Sequence, residues 1–115
     1  MSGSQRSIVT LEVEWDAGPF WVSVGGSISD NYLPHEVTEV VPLSAELVAA
    51  IEKWDGRYQA AFNRDLPQDS GMQDPADREL FDAEGLELAR RARRELPPEF
   101  AVRHTTPDGR TSWVE

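Results

Sequence analysis

Ile8-Val9-Thr10-Leu11-Glu12-Val13-Glu14-Trp15 is the stretch from which the fold is read. Val9, Leu11, Val13 and Trp15 fall on one side of an extended backbone, and Thr10, Glu12 and Glu14 on the other. This is the period-two pattern of a strand with one face buried and one in water. Asp16-Ala17-Gly18-Pro19 then supplies turn residues, and Phe20-Trp21-Val22-Ser23-Val24 resumes with aromatic and β-branched side chains until Gly25-Gly26. An antiparallel hairpin is predicted. Near the C-terminus, residues 100–105 and 111–114 flank Pro107-Asp108-Gly109-Arg110, and Asp-Gly between strand-like runs predicts a second hairpin.

Between the hairpins the period changes. Residues 27–34 are polar and carry Asp30, Asn31 and Pro34, which predicts a loop, while the β-branched run at 37–41 predicts a short third strand. Ser44 stands where a helix N-cap should be, and Leu47, Ile51, Trp54, Tyr58, Ala61 and Phe62 follow at helical spacing, with Glu52, Lys53, Asp55, Arg57 and Gln59 as polar counterparts. Asp74-Pro75 opens a second helix with a capping side chain and a proline at the first helical position. Leu80, Phe81, Leu88, Ala92 and Leu96 form its apolar stripe, and Pro97-Pro98 ends it. The expected fold is therefore α+β, in the order β-β-β-α-α-β-β, with an antiparallel sheet and two helices packed on one face. Residues 8–115 read as one domain and residues 1–7 as a flexible leader.

The chain has 115 residues, of which 21 are acidic and 11 basic, a formal net charge of −10. That field disfavours direct contact with nucleic acid or an anionic membrane and favours a basic protein surface as partner. With no cysteine, a disulfide framework, a thiolate zinc site and a cysteine nucleophile are all excluded. No signal-peptide core and no run near 20 apolar residues are present, so a cytoplasmic protein is expected. Phosphate-binding loops, dinucleotide fingerprints and metalloprotease motifs are likewise missing from the sequence.

Isolated residues that resemble chemistry have simpler accounts. Asn63, Asp65, Asp69 and Asp74 are oxygen donors in a short window, but Pro67 falls where a calcium loop needs a ligand and Gln68 where it needs glycine. No metal ligand, cofactor or catalytic residue is assigned. Glu12 and Glu14 lie about 7 Å apart on one strand face, a spacing known from glycosidase carboxylates, yet a solvated strand face explains them. His35 and His104 have no partner evident in sequence. Arg90, Arg91, Arg93 and Arg94 complement the dipole at the end of the second helix, and Glu87 is placed to pair with Arg91. Trp21 and Trp113 are each out of step with the buried face of their strands. Together on a helix-free face they would form an aromatic anchor; the ordinary alternative is that they cover sheet edges.

The central region, with Leu47, Ile51, Trp54 and Tyr58 on one helix, then Asp65-Leu66-Pro67-Gln68-Asp69-Ser70-Gly71, then Phe81-Asp82-Ala83-Glu84-Gly85 before an Arg-rich helix, resembles small uncharacterised proteins of high-GC bacteria. It also has the character of immunity proteins that neutralise polymorphic toxins. The likeness covers roughly half the chain and implies a non-enzymatic inhibitor bound to a toxin. With the acidic charge, which is densest over residues 65–87 at eight acids to one base, the expected mode is occlusion of a basic active site, such as that of a nuclease. Asp65, Asp69, Asp74, Asp77 and Glu79 are the expected partner-binding residues, with Trp21 as anchor. A competing reading is a small-molecule-binding or enzymatic domain with a pocket between sheet and helices, built on Trp54, Tyr58 and His104. A third is an oligomerisation module with an apolar patch on the free sheet face.

Overall fold

The alternation of residues 8–15 becomes strand β1 (Ser7–Leu11) in the computed structural model, which describes residues 6–61 and 74–115. Strand β2 (Phe20–Ser23) pairs with it antiparallel, placing Val9 opposite Val22 and Leu11 opposite Phe20. The connecting turn uses Asp16 in the left-handed region, at φ 59°, where a short polar side chain is among the few tolerated. Strands β4 (Phe100–Thr105) and β5 (Thr111–Val114) form the second antiparallel hairpin, and Gly109 supplies the positive φ of its loop. Thr106 ties that loop together: its hydroxyl donates to the Asp108 carboxylate and accepts from the Arg110 amide at 3.0 Å.

Two expectations are corrected. The sheet is mixed, with strand order β3-β2-β1-β4-β5, because β1 and β4 lie side by side and parallel. Parallel neighbours need a long crossover connection, and the helical region between the hairpins provides it. The third strand is not at residues 37–41. β3 (Asp30–Tyr32) forms instead within the stretch expected to be loop, and pairs antiparallel with β2. Asn31 makes this possible, accepting from the Gly18 amide at 3.0 Å and donating to the Gly18 and Phe20 carbonyls at 2.7 and 3.2 Å. Gly18 has to be glycine, since a Cβ there would lie 2.3 Å from the Tyr32 carbonyl oxygen.

The β-branched run enters a helical turn, α1 (Pro34–Val37). Pro34 starts it, and the Glu36 carboxylate accepts from the Leu33 amide at 2.9 Å, so the local capping chemistry outweighs strand propensity. Val37 and Val41 are then buried one helical turn apart, joined by a 2.9 Å amide–carbonyl bond.

The two long helices follow their caps. α2 (Ala45–Ala60) begins at Ser44, whose hydroxyl accepts from the Leu47 amide at 3.1 Å. α3 (Pro75–Glu95) begins at Asp74, whose carboxylate accepts from the Ala76 amide at 2.8 Å. They are joined at one end by the Glu95 carboxylate, which takes hydrogen bonds from both the amide and the hydroxyl of Ser44 at 2.8 Å. Leu47, Ile51 and Trp54 of α2 and Phe81, Ala89 and Ala92 of α3 share one core with Val9, Leu11, Phe20, Val22 and Val102 of the sheet. Leu80, expected in the apolar stripe of α3, is instead 64% exposed. Asp55, expected on the polar face of α2, is buried and accepts from the Gln59 side chain at 3.1 Å. Phe62, expected to extend the stripe of α2, lies outside the described residues.

Arg6 and Ser7 continue the sheet at its start. Arg6 donates to the carbonyls of Pro98 and Phe100, and the Ser7 amide donates to Glu99.

Candidate partner-binding surface

Strand pairing sorts side chains into two faces. One face carries Val9, Leu11, Phe20, Val22, Val102 and His104 and packs beneath the helices. On the other, the register aligns Asn31, Trp21, Thr10, Arg103 and Trp113 across all five strands. Neither long helix covers this row. Trp113 is 55% exposed and Trp21 half-buried, so both tryptophans project from the helix-free face.

Each member of the row is held in place. The Trp21 indole N–H donates to the Glu12 carbonyl at 3.0 Å. Arg103 donates through Nε to the Thr10 hydroxyl at 2.7 Å, and its guanidinium carbon lies 5.1 Å from the centre of the Trp113 ring, within cation–π range. Beside the row stands Glu12, whose carboxyl is pushed up by burial and further by the charge of Glu14, while Arg103 pulls it down. Sequence reasoning had singled out the tryptophans but gave Arg103 no role. The signal was present, because counting outward from Thr105 and Thr111 across the Asp-Gly loop puts Arg103 opposite Trp113.

The expected acidic site is only partly described. Asp65 and Asp69 lie outside the described residues, as do Asn63, Pro67 and Gln68. Asp74 is engaged as the N-cap of α3; Asp77 and Glu79 follow it and are exposed. These three belong to the helix layer and Trp21 to the opposite sheet face, so the structure does not bring the four together. Further along α3, Asp82 pairs with Arg110 at 3.2 Å and Glu84 with Arg57 at 2.8 Å.

The arginines at the far end of α3 serve the fold. Arg93 donates to the carbonyls of Leu96, Pro97 and Phe100, and Glu87 pairs with Arg90 at 3.6 Å and Arg94 at 3.5 Å rather than with Arg91.

The space between sheet and helices, where a pocket on Trp54, Tyr58 and His104 was considered, is filled by side chains. Trp54 stacks on Phe81 at 4.9 Å, donates to the Phe81 carbonyl at 3.0 Å and meets His104 at 5.9 Å. Tyr58 stacks on Trp15 at 3.9 Å. His104 is 2% exposed, and its burial, with the nearby Arg110 charge, pushes its pKa down to about 4. His35 is exposed. Among the described residues no three His, Asp or Glu side chains are grouped to hold a metal, and no helix is long and apolar enough to cross a membrane.

No curated protein matches the chain. A family model does, and the resemblance to immunity proteins is borne out by it: residues 7–107, from the first residue of β1 to the loop after β4, match the family described as Serratia CdiI immunity protein-like. As the match spans well over half of the sequence, the chain belongs to this family of immunity protein-like sequences.

Proposed function

We propose that this chain is an immunity inhibitor that binds a toxin domain with a basic active site and blocks it by occlusion, contributing no chemistry of its own. The observation that carries this reading is the family match, joined to a net charge of −10. A field of that sign draws a basic partner in and raises the association rate, from about 10⁵–10⁶ toward about 10⁸–10⁹ M⁻¹s⁻¹ in the most favourable cases. Asp65, Asp69, Asp74, Asp77 and Glu79 contribute to this attraction, and Trp21 acts as an anchor once the partner has arrived. Packed rings occupy the space at Trp54 and His104, which speaks against a ligand pocket at that place between sheet and helices.

The test is the association rate of the chain with a cognate toxin domain, followed by stopped flow over a range of salt. Steering predicts a rate that falls at least about tenfold between low and high ionic strength as the Debye length shrinks. The double variant Asp77→Asn, Glu79→Gln should slow association and leave dissociation nearly unchanged. A rate indifferent to salt would contradict the electrostatic part of the proposal.

A further inference from the structure

The helix-free sheet face has the composition and the rigidity of a binding hot spot. Trp and Arg are the residue types most enriched at such positions, and here Trp21, Arg103 and Trp113 lie in one row. Three strand spacings separate the two tryptophans, about 14 Å, which fits well inside a standard interface of roughly 800 Å² per partner. The row is also already ordered. Trp21 is tied to the β1 backbone, Arg103 to Thr10, and Trp113 lies against the Arg103 guanidinium, so binding immobilises few additional rotamers.

The polar groups around the row are incompletely paired. Arg103 uses Nε internally, and among the described residues its two terminal nitrogens have no hydrogen-bond or ion-pair partner. Glu12 stands beside the row and has no ion-pair partner among the described residues, whereas Glu14 lies toward α2, its carbonyl accepting from Gln59 and its charge adding to the burial that pushes the Tyr58 hydroxyl up. A cation brought by a partner would pair with Glu12, and a carboxylate or carbonyl of the partner would satisfy Arg103.

We infer that the toxin docks on this sheet face, with Trp21 and Trp113 as aromatic anchors on either side of Arg103 and a cationic toxin side chain received by Glu12. The inference rests on the proposed immunity function and gives it a location. Charge complementarity favours a basic toxin over a second copy of the chain. A second copy would carry another −10 and, across a two-fold axis, would bring the same Glu12 carboxylate to the interface.

The test is titration calorimetry of a cognate toxin domain with the wild-type chain, Trp113→Ala and Glu12→Gln, with stopped-flow kinetics for the double variant Asp77→Asn, Glu79→Gln, each variant checked by circular dichroism and thermal melting. Trp113→Ala is expected to fold normally and to weaken binding by about 30-fold or more, the loss of a hot-spot side chain. Glu12→Gln is expected to weaken it by roughly tenfold as a charge-assisted contact is lost. By stopped flow, the α3 double variant should keep its dissociation rate constant within about threefold of wild type, as expected for charges outside the contact. Wild-type affinity in both Trp113→Ala and Glu12→Gln would overturn the docking face while leaving the immunity function standing. No binding by the wild-type chain would overturn the function itself. Sedimentation of the free chain as a dimer that Trp113→Ala dissociates would assign the face to a second copy and overturn the inference.

Discussion

Two glycines inside helices have opposite surroundings and should respond oppositely to the same substitution. A Cβ on Gly56 of α2 would meet no atom within 4 Å, whereas one on Gly85 of α3 would lie 2.5 Å from both His104 Nε2 and the Trp54 ring. Gly56→Ala should therefore gain about 1 kcal/mol from helix propensity alone. Gly85→Ala has the same gain but must displace two buried, mutually packed rings, and overpacking should win, for a net loss of about 1–2 kcal/mol by urea denaturation. His104 itself supplies a pH dependence. Its folded pKa of about 4 lies below the unfolded value of 6.5, so the unfolded chain binds the proton more readily. Stability is thus full above pH 6.5 and falls as the pH drops toward 4, by up to about 3 kcal/mol. Glu12, Asp55 and Asp82, whose carboxyls are pushed up chiefly by burial, act in the opposite sense and nearer the carboxylate range. Urea curves of His104→Gln should flatten the slope between pH 6.5 and 4; an unchanged slope would mean that His104 is not the titrating group. The face each residue takes was legible from parity alone, since Val102 and His104 alternate with Arg103, but the depth of His104 depends on Gly85 arriving from another element.

Among elements, the end of α3 shows which charges matter to the fold. Arg93 donates to three carbonyls, the shortest at 2.7 Å to Phe100, and so fixes the turn from α3 into β4. Arg94 makes only an exposed 3.5 Å pair with Glu87. Arg93→Ala should cost about 1–3 kcal/mol, because carbonyls facing the fold lose a charged donor, and Arg94→Ala less than about 1 kcal/mol, both read from chemical denaturation midpoints. The same scale explains what sequence could and could not disclose. Both hairpins were legible because their signals, alternation and an Asp-bearing turn, lie within a few residues of each other. β3 was hidden because an edge strand of Asp30, Asn31 and Tyr32 has no apolar alternation, its pairing secured by the Asn31 side chain and the closeness allowed at Gly18. The run at 37–41 has the composition of a strand, but β-branched residues can also be buried from one turn of helix, and the proline and Glu36 before it settle which. Nothing local records that β1 lies beside β4. That pairing is long-range, as the hydrogen bond from Arg6 to Pro98 across 92 residues illustrates.

Across the length of α3 the charge is sorted by sign. Asp74, Asp77 and Glu79 stand at the helix N-terminus, and Arg90, Arg91, Arg93 and Arg94 at its C-terminus, in the sense that complements the helix dipole. The negative field was legible by counting, and so was the possibility of a tryptophan pair on the free sheet face. The row joining them was not, because it exists only once two hairpins have been set side by side in a fixed register. Under the proposed function, the acidic field brings a basic partner in, and the rigid Trp21–Arg103–Trp113 row holds it. The most direct test of the central claim is an activity titration of a cognate toxin domain with the purified chain. The account predicts that activity falls in proportion to added chain and reaches its floor near equimolar addition. Full toxin activity in the presence of a large excess of the folded chain would contradict it.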